Sequence, residues 1–160
     1  MPAVEVSVMG LQRLIQRWRS IQSTALPRLV ARMQLEMNKL AEYVRANKLS
    51  GQVLKNQTGT LRRSIHGEAT ADGDTGVVGT VGTNVSYAKY FETTGTAPHV
   101  IEATRAKALH WVVGGKDFFA KRVHHPGFAA KPFLRPALNE QRDNIVAGLR
   151  AELGGIFRDA

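Results

Sequence analysis

Apolar residues change their spacing several times along the chain, and each change marks an element. Val4, Val6 and Val8 alternate with Glu5 and Ser7, the period-two pattern of a short half-buried strand that Gly10 ends. Leu11, Leu14, Trp18 and Ile21 then recur at helical spacing. Pro27 falls inside this stretch, where it lacks a donor and clashes one turn back, so the pattern predicts either two helices or one kinked helix. Beyond it Leu26, Val30, Met33, Met37, Leu40 and Val44 step by four and three, with Arg32, Glu36, Lys39 and Arg45 on other faces. A coiled coil would give this pattern, but it covers too few heptads. A helix laid over a sheet is the favoured reading.

Residues 48–58 read as a polar loop, and Thr58–Ile65 as a turn leading into a strand. Asp72-Gly73 marks a hairpin turn within 69–76, and Val77–Thr83 is a strand whose glycines imply that another element packs closely on it. Loops at 48–58 and 67–76 are expected to be mobile, since they offer little apolar burial. Ser86 begins a short helix through Thr93 with Tyr87, Tyr90 and Phe91 inward, and Gly95 ends it. Val100–Glu102 is extended. Ala108–Val113 and Phe118–Val123 form a hairpin across Gly114-Gly115-Lys116-Asp117, closed off by Pro126-Gly127. Pro132 and Pro136 introduce a last helix with Leu138, Ile145, Leu149, Leu153 and Ile156 on one face, frayed at Gly154-Gly155. Phe133 and Leu134 are expected to anchor it. The expected class is α+β: one antiparallel sheet of about four or five strands, a long N-terminal helix, a short middle helix and a C-terminal helix. The hairpin at 108–124 projects from a single domain spanning 1–160.

With 160 residues, 43% of them hydrophobic, the chain suits one globular domain with a real core. It has no cysteine, which removes disulfides and thiol chemistry. No signal peptide and no membrane span are read, so the chain is expected to be soluble and made in the cytoplasm. Lys and Arg total 22 against 13 Asp and Glu, a net charge of +9 that suits nucleic acid or an acidic protein surface. The helical cations are spread around their helices, and Arg62-Arg63 is the one arginine doublet. No helix-turn-helix or zinc-finger spacing is visible, so contact with DNA would be sequence-blind.

Catalytic and metal chemistry find little support. His66, His99, His110, His124 and His125 have no metal-ligand spacing. Gly114-Gly115-Lys116 lacks the frame of a phosphate loop, Ser64 and Ser86 lack a nucleophile elbow, and nothing fixes Glu92 against Glu102. No enzyme activity and no cofactor are expected.

Several segments, in order, resemble the minor tail or tail-completion proteins of long-tailed bacteriophages. Thr58–Ile65 is similar to their "TGxLRxSI" segment, and Val81–Glu92 to "VGTxxxYAxYxE". Gly95–Ile101 resembles "GTxPHxI", while His125-Pro126-Gly127 and Pro132–Leu138 resemble the closing signature. Thr93-Thr94 stands where shorter members have one residue. The resemblance implies a non-enzymatic virion part made in the bacterial host: a ring, commonly sixfold, at the head-proximal end of the tail. Such a ring meets other neck and tail proteins and lets DNA pass. Trp111, Phe118 and Phe119, with Glu92 and Arg135, are the candidate assembly residues, and Arg62 and Arg63 the candidate contacts to DNA or an acidic partner. The hairpin would dock on a neighbour through Trp111 or Phe119, or else pack on its own sheet. The alternative is a small basic nucleic-acid-binding protein.

Overall fold

The computed structural model describes residues 10–54 and 58–159, so the expected strand at Val4–Val8 lies outside the described residues. The class is α+β. In chain order the elements are helix α1 (Leu11–Asn47), helix α2 (Thr60–Ser64), strands β1 (His66–Asp72) and β2 (Gly76–Gly82), a π-helical turn (Tyr90–Thr94), strands β3 (His99–Glu102), β4 (Leu109–Val113), β5 (Lys116–Ala120) and β6 (Arg122–His125), and helix α3 (Leu134–Asp159). Among the described residues the strands do not join into the one sheet expected. They form three two-stranded antiparallel ladders, β1–β2, β3–β6 and β4–β5. The residues fall into two compact units, one drawn from Met1–Asn84 and Leu134–Ala160, the other from Val85–Phe133.

In the first unit α1 runs unbroken past Pro27. An interior proline costs a helix about 3 kcal/mol. Contacts with α3 hold the helix on both sides of the proline. Before it, Arg17 Nη2 donates to the Phe157 carbonyl at 2.9 Å. Just after it, Arg28 meets Glu152 at 2.7 Å and Asp159 at 2.8 Å. Further along, Tyr43 Oη and Lys48 Nζ both donate to Glu140, at 2.8 and 2.7 Å, so the two helices run antiparallel.

The buried face of α3 is Ala137, Ile145, Gly148 and Ile156. Leu138 and Leu153 are exposed, contrary to the expected stripe, and the helix continues through Gly154-Gly155 to Asp159. Gly148 explains the rotation. A β-carbon there would lie 2.5 Å from both Arg32 Nη2 and Glu36 Oε1. Those two belong to a cluster the apolar pattern had put on an outer face: Glu36 is only 3% exposed and is held by Arg32 at 2.6 Å and Lys39 at 3.2 Å. A buried carboxylate is tolerated because both cations reach it. A cavity of about 310 Å³ beside the cluster is lined also by Gln141, Asn144 and Ile145.

The β1–β2 ladder lies on the other side of α1. Residues opposite one another in its register share a face. Gly67, Ala69, Gly79 and Val81 face α1, where Gly67 and Gly79 let Met37 and Met33 approach. The expected close packing on this strand is therefore present at Gly79, whereas nothing approaches Gly82. Residues 67–72, expected as a mobile loop, are paired strand. The core here is Met37, Leu40, Ala41, Val44, Leu49 and Ile65. Leu49 is thus drawn out of the expected polar loop, and Ser50 Oγ and Gln52 Nε2 donate to the Arg45 and Ala46 carbonyls that α1 leaves unpaired.

The second unit is built around a long β-ribbon. Thr96 and Phe128 exchange both backbone hydrogen bonds at 2.9 Å, and β3–β6 and β4–β5 follow outward along the same two strands. The pairing lapses at Ala97-Pro98 opposite Pro126-Gly127, and again where residues 103–108 on one strand stand against Lys121 on the other, joined by Ala103 N to Lys121 O at 3.0 Å. Val123 therefore belongs to β6 and not to the hairpin strand expected at Phe118–Val123.

Candidate interaction surface

The outermost ladder, β4–β5, turns through Gly114-Gly115, with φ of 58° and 78°. Positive φ at both central residues is the two-residue turn whose twist matches a hairpin, and two glycines adopt it without strain. The register pairs Leu109 with Ala120, Trp111 with Phe118 and Val113 with Lys116 on one face. His110–Phe119 and Val112–Asp117 fall on the other.

Both faces are organised by cross-strand ring contacts. Trp111 and Phe118 stack at 5.8 Å between centroids, 17° from parallel. His110 stacks on Phe119 at 4.7 Å, and its Nε2 lies 2.6 Å from Asp117 Oδ1. Yet little of this apolar surface is covered. Trp111 is 37% exposed and Phe119 69%, and Val112, Val113 and Phe118 are exposed as well. One face, Leu109–Trp111–Phe118–Val113, is almost wholly apolar, while the other carries the His–Asp pair.

Arg105, Lys107 and Lys121 at the hairpin's base and Lys116 at its tip are all exposed, and none makes an ion pair among the described residues. The one hairpin carboxylate, Asp117, is held by His110. The second unit has seven Lys and Arg against three carboxylates, a balance of +4. The surface is therefore an apolar strip bordered by cations.

The other candidate residues are not part of it. Glu92 is half-buried on the π-helical turn, and its Oε2 accepts the Phe133 backbone N–H at 2.8 Å, a structural duty inside the second unit. Phe133 is fully buried. Arg135 is exposed on the first turn of α3. Arg62 and Arg63 are exposed neighbours in the last turn of α2, on the first unit. Of the three aromatics expected inward on the middle helix, Phe91 is half-buried and stacks on Phe128 at 4.6 Å, while Tyr87 and Tyr90 are exposed and Ala88 is buried in their place.

The root of the ribbon explains two of the sequence motifs. Gly95 (φ 67°) and Gly127 (φ 75°) face each other across the Thr96–Phe128 pair. A β-carbon on Gly95 would strike the Phe128 carbonyl oxygen, and one on Gly127 the Thr96 carbonyl oxygen. "GTAPH" and "HPGF" are thus two halves of one clasp. His99 and His125 lie beside it, their rings 5.0 Å apart and tilted by 30°. His125 Nδ1 accepts the Gly127 N–H at 3.1 Å, which in the neutral ring puts the proton on Nε2, and His99 Nδ1 meets the Ala97 carbonyl at 2.9 Å. The pair braces the turn and is not set as a chelate. Among the described residues no group of three His, Asp or Glu could hold a metal ion, and no helix is long and apolar enough to cross a membrane.

Compared with protein-family models, with curated proteins and with solved structures, the chain matches none.

Proposed function

We propose that the chain is a structural virion protein, a subunit of a ring at the head-proximal end of a long-tailed phage tail, which completes or joins the tail and lets DNA pass. The observation that carries this reading is the β4–β5 hairpin. A two-stranded ribbon is marginal alone in water, and one with apolar residues open on both faces needs a covering surface. A subunit that works by assembling has one. The ordered resemblance to tail-completion proteins supplies the setting, and its motifs fall on structural joints: the α2 start at Gly59, and the clasp at Gly95 and Gly127. The work is mechanical, with no cofactor and no turnover. A ring needs two different contact surfaces on each subunit.

A second reading, a small basic nucleic-acid-binding protein, rests on the exposed Arg62-Arg63 pair and the +9 charge. It belongs to a different class and gives a different result in the same experiment. Replace Leu109–Ala120 by Gly-Gly, sparing β6, and supply the variant to phage lacking the wild-type gene. The ring reading expects a folded subunit, heads and tails that fail to join or complete, and antibody label on wild-type particles confined to the neck. Label absent from the virion, with DNA retention by the free chain intact, would favour the second reading.

A further inference from the structure

We infer that the β4–β5 hairpin of one copy docks on the outer face of the β1–β2 ladder of a second copy. The inference deepens the ring reading, because it names the two surfaces that meet head to tail.

The occupant is argued from charge. Eight of the twelve carboxylates among the described residues are already engaged. Glu36, Glu42, Glu140, Glu152 and Asp159 pair with cations of the helices, Glu102 with Arg122, Asp117 with His110, and Glu92 with a backbone N–H. The remainder are Glu68, which has His66 at a loose 3.9 Å, and Asp72, Asp74 and Asp143, which make no ion pair among the described residues. Three of these four sit together. Glu68 and Asp72 share the face of β1 turned away from α1, and Asp74 lies in the turn that follows.

The same face offers an apolar seat. His66, Glu68, Thr70 and Asp72 stand opposite Gly82, Thr80, Val78 and Gly76. Val78 is 44% exposed there, between Thr70 and Thr80. The first unit thus carries an open, acidic ladder face with a small apolar centre. The second carries an open apolar ladder face bordered by Arg105, Lys107, Lys116 and Lys121. Each lacks what the other has.

Two ladders can stack face to face, and seven register pairs in β1–β2 accommodate the five of β4–β5. The Leu109–Trp111–Phe118–Val113 face is the one to seat on Val78, since it lacks a carboxylate. A large aromatic over an apolar centre, with charges at the rim, is the usual anatomy of a protein interface. Donor and acceptor surfaces differ, so the contact is heterologous and propagates from copy to copy. A twofold dimer that stacks hairpin on hairpin would set cation against cation. DNA fits the hairpin poorly, because its strands carry valines and aromatics and Lys116 alone among cations.

The test uses the full chain, which has no cysteine. Sedimentation velocity at low salt follows wild type, an acid-reversed variant (Glu68→Lys with Asp72→Lys) and a base-reversed variant (Lys107→Glu with Lys116→Glu). Wild type is expected to associate beyond a dimer, and each variant alone to associate about tenfold more weakly or less, as lost rim complementarity requires. An equimolar mix of the two should recover association. Thr70→Cys chains mixed with Val113→Cys chains should give the mixed disulfide in excess of either homodimer. Circular dichroism confirms that each variant is folded.

Association of wild type that neither reversal changes would overturn this docking and leave the ring reading standing on other surfaces. A wild-type chain that stays monomeric would also overturn it, and the position of antibody label on particles then decides the ring reading separately. Loss of DNA retention in the base-reversed variant, with association unchanged, would assign the hairpin to DNA instead.

Discussion

Gly67→Ala should damage the protein far more than the identical change at Gly82, fifteen residues away in the same ladder. A β-carbon on Gly67 would lie 2.5 Å from the Met37 carbonyl oxygen and 2.6 Å from its carbon. These are backbone atoms in the middle of α1, so neither can swing aside. Strand β1 must lift from the helix. Overpacking of this kind costs about 1–3 kcal/mol. Lifting also strains two hydrogen bonds that Gln34 makes across the contact, donating to the Gly67 carbonyl at 2.8 Å and accepting from Ala69 N–H at 2.9 Å. Each adds about 0.5–1.5 kcal/mol when lost. The total is about 2–6 kcal/mol, a large share of the roughly 5–15 kcal/mol a domain has. At about 2–4 °C per kcal/mol for a chain of this size, the midpoint should fall by about 4–24 °C. At Gly82 nothing lies within 4 Å of the added carbon, so Gly82→Ala should stay within about 0.5 kcal/mol of wild type. Thermal melts at 222 nm, where α1 and α3 dominate, measure both. A Gly67→Ala chain that melts within a degree of wild type would refute the close approach. Equal losses in the two variants would show that lost glycine, and not the Met37 backbone, is the cause.

Phe133→Ala, at a side chain with no exposed surface, should cost about 3–5 kcal/mol in a urea melt, and an unchanged midpoint would mean that Phe133 lies open. Lys48 first, and Tyr43 second, hold the Glu140 carboxyl below its ordinary 4.5. A depressed carboxyl contributes stability above its unfolded value and loses it as pH falls through the folded one, so wild-type stability should drop below about pH 4.5 and Glu140→Gln should flatten that drop. Identical acid profiles would show that the α1–α3 rung does not form in solution. Glu140 in turn raises the Tyr43 phenol above its ordinary 10, so this contribution is complete below pH 10 and is lost as pH climbs through the folded value. Tyr43→Phe should weaken the alkaline limb of the same profile. Arg62→Ala with Arg63→Ala should weaken any DNA retention alike for unrelated sequences and lower the salt slope by about 2. Binding that prefers one sequence and survives both changes would contradict sequence-blind contact.

The elements read most surely from the sequence were those whose local signals and packing agree. Met37, Leu40 and Val44 lie on the buried face their spacing gave them, and Gly114-Gly115 makes the turn its residue types favour. The misreadings share a cause: a partner distant in sequence decided the outcome. Pro27 sits inside an unbroken α1 that Arg17 and Arg28 tie to α3 on either side of it. Glu36 is buried because Gly148, more than a hundred residues later, leaves room for its ion pairs. The α3 face follows Gly148 rather than the leucines for the same reason. Residues 67–72 read as a loop because they offer little apolar burial, whereas α1 packs on Gly67 so closely that a larger residue would not fit there. Of the candidate surface, the exposed aromatics were legible and the acidic face of β1 was not. Glu68 and Asp72 acquire meaning only once the ladder register puts them side by side on the outer face.

The charge of the chain and the exposure of its hairpin bear on each other. An uncovered strip with Trp111, Phe118 and Phe119 is a liability for a free subunit, since such strips join whatever apolar surface they meet. Here the strip is bordered by four cations on a unit of balance +4 in a chain of +9. Two hairpins meeting tip to tip bring like charges together, and at moderate salt that repulsion acts over about 8–10 Å. The cations thus discourage the wrong pairing of hairpins. In the docking we propose, they would also favour the encounter of a hairpin with Glu68, Asp72 and Asp74. The clasp at Gly95 and Gly127 fixes the ribbon at its root, where Thr96 and Phe128 exchange both backbone hydrogen bonds, and so holds down the ordering entropy lost on docking. A surface of this kind gains its selectivity from what it repels as much as from what it fits. If the chain is the ring subunit we propose, its copies should stay separate at high dilution and close on one another only when crowded.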